Sequence, residues 1–108
     1  MRVIKPREVV IPAGETRLKA LLGLPSPVRG VVVFAHGSGS GRLSPRNNFV
    51  AQVLLYTGIA TLLVDLLEES EALDRRKVFD IDLLSDRLSA NAQWVQERPE
   101  TRGLPLGY

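Results

Sequence analysis

The chain has 108 residues, 44% apolar and 24% charged, which are ordinary proportions for a globular protein and leave room for one domain. Fourteen Lys and Arg against twelve acids give a net charge of +2; the basic residues are scattered, so no clustered face marks a nucleic-acid partner. With no cysteine and one histidine, disulfides, thiolate or multi-histidine metal centres and a cysteine nucleophile are excluded, and the lack of a long apolar run points to a soluble, cytoplasmic protein without a membrane partner.

Residues 3–11 alternate loosely, and a second extended segment runs from Thr16 to Leu24. The link Ala13-Gly14-Glu15 suits a hairpin, so two antiparallel strands are expected. Val31-Val32-Val33-Phe34-Ala35 is continuously apolar, the pattern of a strand covered on both faces, as in a parallel sheet under helices. It runs into the loop His36-Gly37-Ser38-Gly39-Ser40-Gly41. Ser44-Pro45 then reads as a helix start, with serine as N-cap and proline at the first helical position. The spacing of Val50, Val53, Leu54 and Thr57 predicts the buried face of that helix, with Phe49 and Tyr56 at its borders, and Gly58 suits a left-handed stop.

Ile59 to Leu66 is a second strand of the buried type, ending near Asp65. Glu68 to Lys77, acidic and then basic, reads as a surface loop with room for a short helical turn. From about Phe79 to Glu97, the spacing Ile81, Leu84, Leu88, Ala92, Val95 predicts an amphipathic helix, halted by Arg98-Pro99. Gly103-Leu104-Pro105-Leu106-Gly107-Tyr108 reads as a loop leading into another strand. The order β-β-β-α-β-α, with an unfinished fifth strand, implies an α/β fold with parallel pairing and right-handed crossovers.

In such folds ligands meet the loops at the carboxyl ends of the strands, which draws attention to residues 36–41. Three glycines let backbone approach a ligand closely, and exposed N–H groups there can face developing negative charge. The dinucleotide fingerprint would need glycine at 37, 39 and 42, but position 42 is Arg42; the Walker ending G-K-[ST] is also absent. Anion binding at the helix start and a plain strand-to-helix turn both remain compatible with the spacing.

The string VVVFAHGSGSGRLSPRN resembles the segment of dienelactone-hydrolase-like α/β-hydrolases in which His-Gly follows the third strand. Supporting pieces stand in the same order: Val10-Ile11-Pro12-Ala13-Gly14, Thr61-Leu62-Leu63-Val64-Asp65-Leu66-Leu67, Phe79-Asp80-Ile81 and the closing Gly103 to Tyr108. The resemblance covers nearly the whole chain and implies that residues 1–108 are the N-terminal portion of an α/β-hydrolase domain. That portion would comprise the β1-β2 hairpin, β3, the oxyanion loop, helix A, β4 and helix B. By resemblance, Ser38, with Gly39 beside it, supplies a backbone N–H of the oxyanion hole, while His36 and Gly37 hold the loop. Arg46 and Asn47 match the pattern after Ser-Pro and either line the pocket or cap the helix. Asp65 is expected to cap a loop or stand at the pocket rim.

The family reaction is serine-nucleophile hydrolysis of a carboxylic ester or lactone, with no metal or organic cofactor. This chain carries no G-x-S-x-G elbow, and the glycine at 39 keeps GSGSG from being one. The family acid and histidine, which follow the elbow, are also missing, so the nucleophile and its partners are expected from a C-terminal half. Some relatives of this kind are joined to a phosphoribosyltransferase-like domain. The family sheet order leaves the third strand at an open edge here, so instability or self-association through that strand is expected. The alternatives are a non-catalytic small-ligand or anion-binding domain and a degenerate fragment without function.

Overall fold

The computed structural model describes residues 4–36 and 41–108. Strands β1 (Arg7–Ala13) and β2 (Thr16–Gly23) form the expected antiparallel hairpin, turning through Gly14 at φ 63°. Strand β3 (Gly30–His36) leads to a 3-10 turn at Gly41–Leu43 and helix α1 (Pro45–Tyr56). Strand β4 (Ile59–Asp65) follows, then short helices α2 (Glu69–Ala72) and α3 (Arg75–Val78), the long helix α4 (Ile81–Glu97), and a two-residue strand β5 (Leu106–Gly107).

Among the described residues these strands make one sheet in the order β1-β2-β4-β3-β5. β2 lies antiparallel to β4, and β3 lies parallel to both β4 and β5. The larger core, built from Ile11, Leu18, Ala20, Leu22, Val31, Val33, Ala60, Leu62 and Val64, is closed by Val95 of α4. Helix α1 covers β4. The apolar run of β4 is thus explained, since both its faces are covered, whereas β3 is buried at Val31 and Val33 and only half-buried at Val32, Phe34 and Ala35.

Three expectations change. Helix α1 starts where predicted, with Ser44 Oγ accepting from Asn47 N at 3.3 Å, and it stops at Gly58, φ 88°. Its buried face, however, is Ala51 and Leu55, while Phe49, Val50, Val53 and Tyr56 are exposed. The small Ala51 lets the helix approach the sheet. Leu55 fills the space left by Gly23, where an added Cβ would meet its methyls at 3.0 Å and Thr61 Oγ1 at 2.9 Å. Second, β3 is not wholly open: β5 pairs with Val31 and Val32, and Val31 N donates to Pro105 O at 2.9 Å, while among the described residues Val33 to His36 have no strand partner on that edge. Third, Glu68–Lys77 holds two short helices, capped by Glu68 and Asp74. In α4, Ile81 is exposed, and Arg87 and Asn91 take buried places beside Val95.

Candidate functional site

The carboxyl ends of β3 and β4 lie side by side, with His36 in register with Asp65. The chain leaves β3 at His36 and is next described at Gly41, which is buried and again rests on Asp65. Gly41 has φ 50°, a conformation that disfavours residues with a Cβ, and an added Cβ there would collide with Asp65 Oδ1. Glycine is therefore required on two separate counts.

Asp65 binds the next residue twice: Arg42 N donates to Oδ1 at 2.7 Å and Arg42 Nη1 to Oδ2 at 2.5 Å. Both side chains are mostly buried, 24% and 16% exposed, so these charge-assisted bonds are shielded from competing water. Asn48 continues the network from the first turn of α1, its Nδ2 donating to Arg42 O and Ser44 O, each at 2.9 Å. Residues 36 and 41–42, which bracket the glycine-rich loop, are both anchored to the end of β4. An aspartate at this strand end acts as the clamp for the loop's base.

Beside the clamp is a cleft of about 590 Å³, lined by Val10, Arg17, Lys19, Arg42, Asp65, Leu67, Glu68 and Ser70. Its far wall is stabilised by a second ion pair. Arg87 of α4 grips Glu71 of α2 through Nη1–Oε1 at 2.5 Å and Nη2–Oε2 at 2.7 Å, and also donates to Leu66 O at 3.0 Å and Thr16 Oγ1 at 3.3 Å. Glu71 Oε1 accepts from Glu68 N at 2.9 Å, closing a capping box. The Arg87 hydrogen bonds outweigh the opposing cost of burial and hold the Glu71 carboxyl at about 2; the same pairing raises Arg87 above its ordinary value. One guanidinium thus ties together β2, the end of β4, α2 and α4.

Of the residues singled out in the sequence, Gly37, Ser38 and Gly39 lie outside the described residues, as does the side chain of His36. Asp65 stands at the centre of the network. Arg46 is exposed on the first turn of α1, and Asn47 contributes its backbone N–H to the Ser44 cap. Neither is among the described residues that line the cleft. Trp94 packs against the core with the Arg98 guanidinium 4.7 Å above its ring. Sequence reasoning missed Gly41, Arg42, Asn48 and the Arg87–Glu71 pair. The glycine-arginine step at the loop's end, facing an aspartate at a strand end, was the available signal for the first two.

The fold has close counterparts. Over 96% of this chain and 51% of the other, it superposes on a dienelactone hydrolase from Anabaena variabilis ATCC 29413 with a TM-score of 0.84 and 46% identity. The chain is similar to dienelactone hydrolases and shares the α/β-hydrolase fold. A lidless α/β serine hydrolase from Xanthomonas campestris shares the fold at 22% identity, with a TM-score of 0.67 over 94% of this chain and 49% of that one. Two curated Mycobacterium tuberculosis proteins, from strains CDC 1551 / Oshkosh and ATCC 25618 / H37Rv, are 48% identical over 105 residues and carry a provisional phosphoribosyl transferase name. The match takes in 97% of this chain and 24% of each of those proteins. This dienelactone-hydrolase-like chain therefore spans about half the length of the solved hydrolase and about a quarter of the curated relatives, consistent with an N-terminal portion of the fold. No family model matches it. No helix among the described residues is long and apolar enough to cross a membrane.

Proposed function

We propose that this chain supplies the oxyanion loop of a serine hydrolase acting on a small carboxylic ester or lactone. The observation that carries the reading is the anchoring of the loop's ends at the carboxyl edge of the sheet, where the β3–β4 ladder holds His36 and the Asp65 carboxylate clamps Arg42. A loop whose backbone must face a developing alkoxide gains from such anchoring, because preorganised N–H donors need no reorganisation as charge appears. In this reading Ser38 N–H, with Gly39 N–H beside it, receives the carbonyl oxygen as it becomes an oxyanion. His36 and Gly37 set the loop's departure from β3. The attacking serine, its base and its acid come from the second half of the fold, because this sequence holds no nucleophile elbow and no second histidine. The transferase name of the curated relatives belongs to proteins about four times as long, and the matched quarter has the hydrolase architecture, which favours hydrolysis as this segment's role.

A chimera tests this. Residues 1–108 replace the matching half of the Anabaena dienelactone hydrolase, and hydrolysis of p-nitrophenyl acetate is followed. Turnover is expected, with Asp65→Ala lowering kcat by roughly 10²-fold, the usual consequence of a misplacement of about 1 Å, and leaving KM little changed. A folded chimera with no turnover, or an Asp65→Ala chimera of full activity, overturns the reading.

A further inference from the structure

The cleft beside the clamp carries an uneven charge. It contains three cations, Arg17, Lys19 and Arg42, and two acids, Asp65 and Glu68. Both acids are already engaged. Asp65 takes the Arg42 backbone and guanidinium. Glu68 Oε1 accepts from Arg17 N at 3.2 Å, and the same carboxylate accepts from the backbone of Glu71 in the capping box. Arg42 is committed to Asp65 in turn.

Arg17 and Lys19 differ. They stand two residues apart on β2, so their side chains leave the same face of the sheet with about 6–7 Å between their backbone origins. Both are exposed, and among the described residues neither side chain makes an ion pair or hydrogen bond. Val10 from β1 and Leu67 beyond β4 supply apolar surface to the same cleft. Like charges held together beside apolar walls raise the local concentration of counter-anions. The cleft's volume of about 590 Å³ is that of a small-molecule site.

We propose that this cleft binds a small organic anion, a carboxylate or phosphate with a short apolar body. The anionic head lies between Arg17 and Lys19, and the body rests on Val10 and Leu67. The site lies on the hairpin side of Asp65, and its occupancy does not require the hydrolase reading to hold. It differs from an anion site at the start of α1 in drawing its cations from β2.

The test is titration of the 108-residue chain, followed by amide chemical shifts, with three probes: hexanoate, its neutral counterpart hexanamide, and inorganic phosphate. Saturable shifts centred on Val10, Arg17, Lys19 and Ser70 are expected with hexanoate below about 10 mM and not with hexanamide, since an apparent Kd in the millimolar range is ordinary for so small a ligand. Saturation by phosphate at the same amides identifies the head as sufficient; tighter binding of hexanoate assigns the added affinity to the apolar wall. Arg17→Ala with Lys19→Ala is expected to weaken binding at least about tenfold, and Arg75→Ala, on the exposed surface of α3, to leave it unchanged. The double variant's circular dichroism is expected to match the parent's, because both side chains are exposed. The proposal fails if neither anion gives saturable shifts, if hexanamide binds as well as hexanoate, if the folded double variant binds like the parent, or if the shifts centre on residues 41–47.

Discussion

The ion pair between Arg87 and Glu71 makes the stability of this fold depend on acidity in a way a single substitution can isolate. Glu71 moves from an ordinary 4.5 to about 2 in the folded chain, mainly through its hydrogen bonds from Arg87. At 1.36 kcal/mol per pH unit, that displacement sets an upper bound of about 3 kcal/mol; the solvent still reaching the pair, 12% of the Glu71 side chain, reduces it to roughly 2 kcal/mol. Because the folded value is the lower one, the stabilisation is complete above pH 4.5 and drains away as pH falls toward 2. Glu71→Gln keeps the shape and removes the charge. Urea unfolding of parent and variant between pH 7 and pH 2.5 is expected to show the variant about 2 kcal/mol weaker at neutral pH, with the gap closing steadily below 4.5. Other carboxylates titrate in both proteins and cancel in the difference. A gap that stays constant down to pH 2.5, or none at pH 7, refutes the argument.

Two further substitution pairs test the packing. Leu55→Ala is expected to cost about 2–5 kcal/mol by opening a cavity over Gly23 and Thr61, whereas Val53→Ala, half exposed, stays within about 0.5 kcal/mol; urea unfolding that reversed the two would restore the face read from the sequence. Gly41→Ala combines a left-handed backbone with a collision at Asp65, so the strain of about 1–2 kcal/mol is joined by loss of charge-assisted bonds worth about 1.5–3 kcal/mol. Gly103→Ala has φ 79° and open space around it, and is expected to show the backbone part alone; equal losses in the two variants would mean the Asp65 clamp contributes nothing.

The strands, their order of appearance and the start of α1 were readable because each rests on neighbours in sequence: an apolar run, a hairpin glycine, a serine before a proline. What escaped depends on distant partners. Arg87 looks like any charge on a helix until Glu71, sixteen residues earlier, is brought against it. The inward face of α1 was misassigned because the apolar count favours valine and phenylalanine, while shape favours Ala51 against the sheet and Leu55 over a glycine. Asp65 was legible as a residue at a strand's functional end, but its partner Arg42 lies 23 residues away. Asn48, likewise, reads as one more polar residue on a helix until the turn at Gly41–Leu43 brings the carbonyls of Arg42 and Ser44 within reach of its side chain.

The sheet order has a consequence for how the chain is made. Val31 pairs with Ala60 on one side and Leu106 on the other, partners that follow it by 29 and 75 residues. At about 5–20 residues per second of synthesis, its second neighbour emerges roughly 4–15 s after β3 itself. During that interval a run of valines with an unpaired edge is exposed to every other nascent chain nearby. The hairpin waits as well, since β2 joins the sheet through β4, and Ala20 meets Val64 only 44 residues later. Protein made quickly and at high concentration therefore risks being lost during translation, and slower synthesis or a chaperone holding β3 should raise the soluble yield without altering the finished fold.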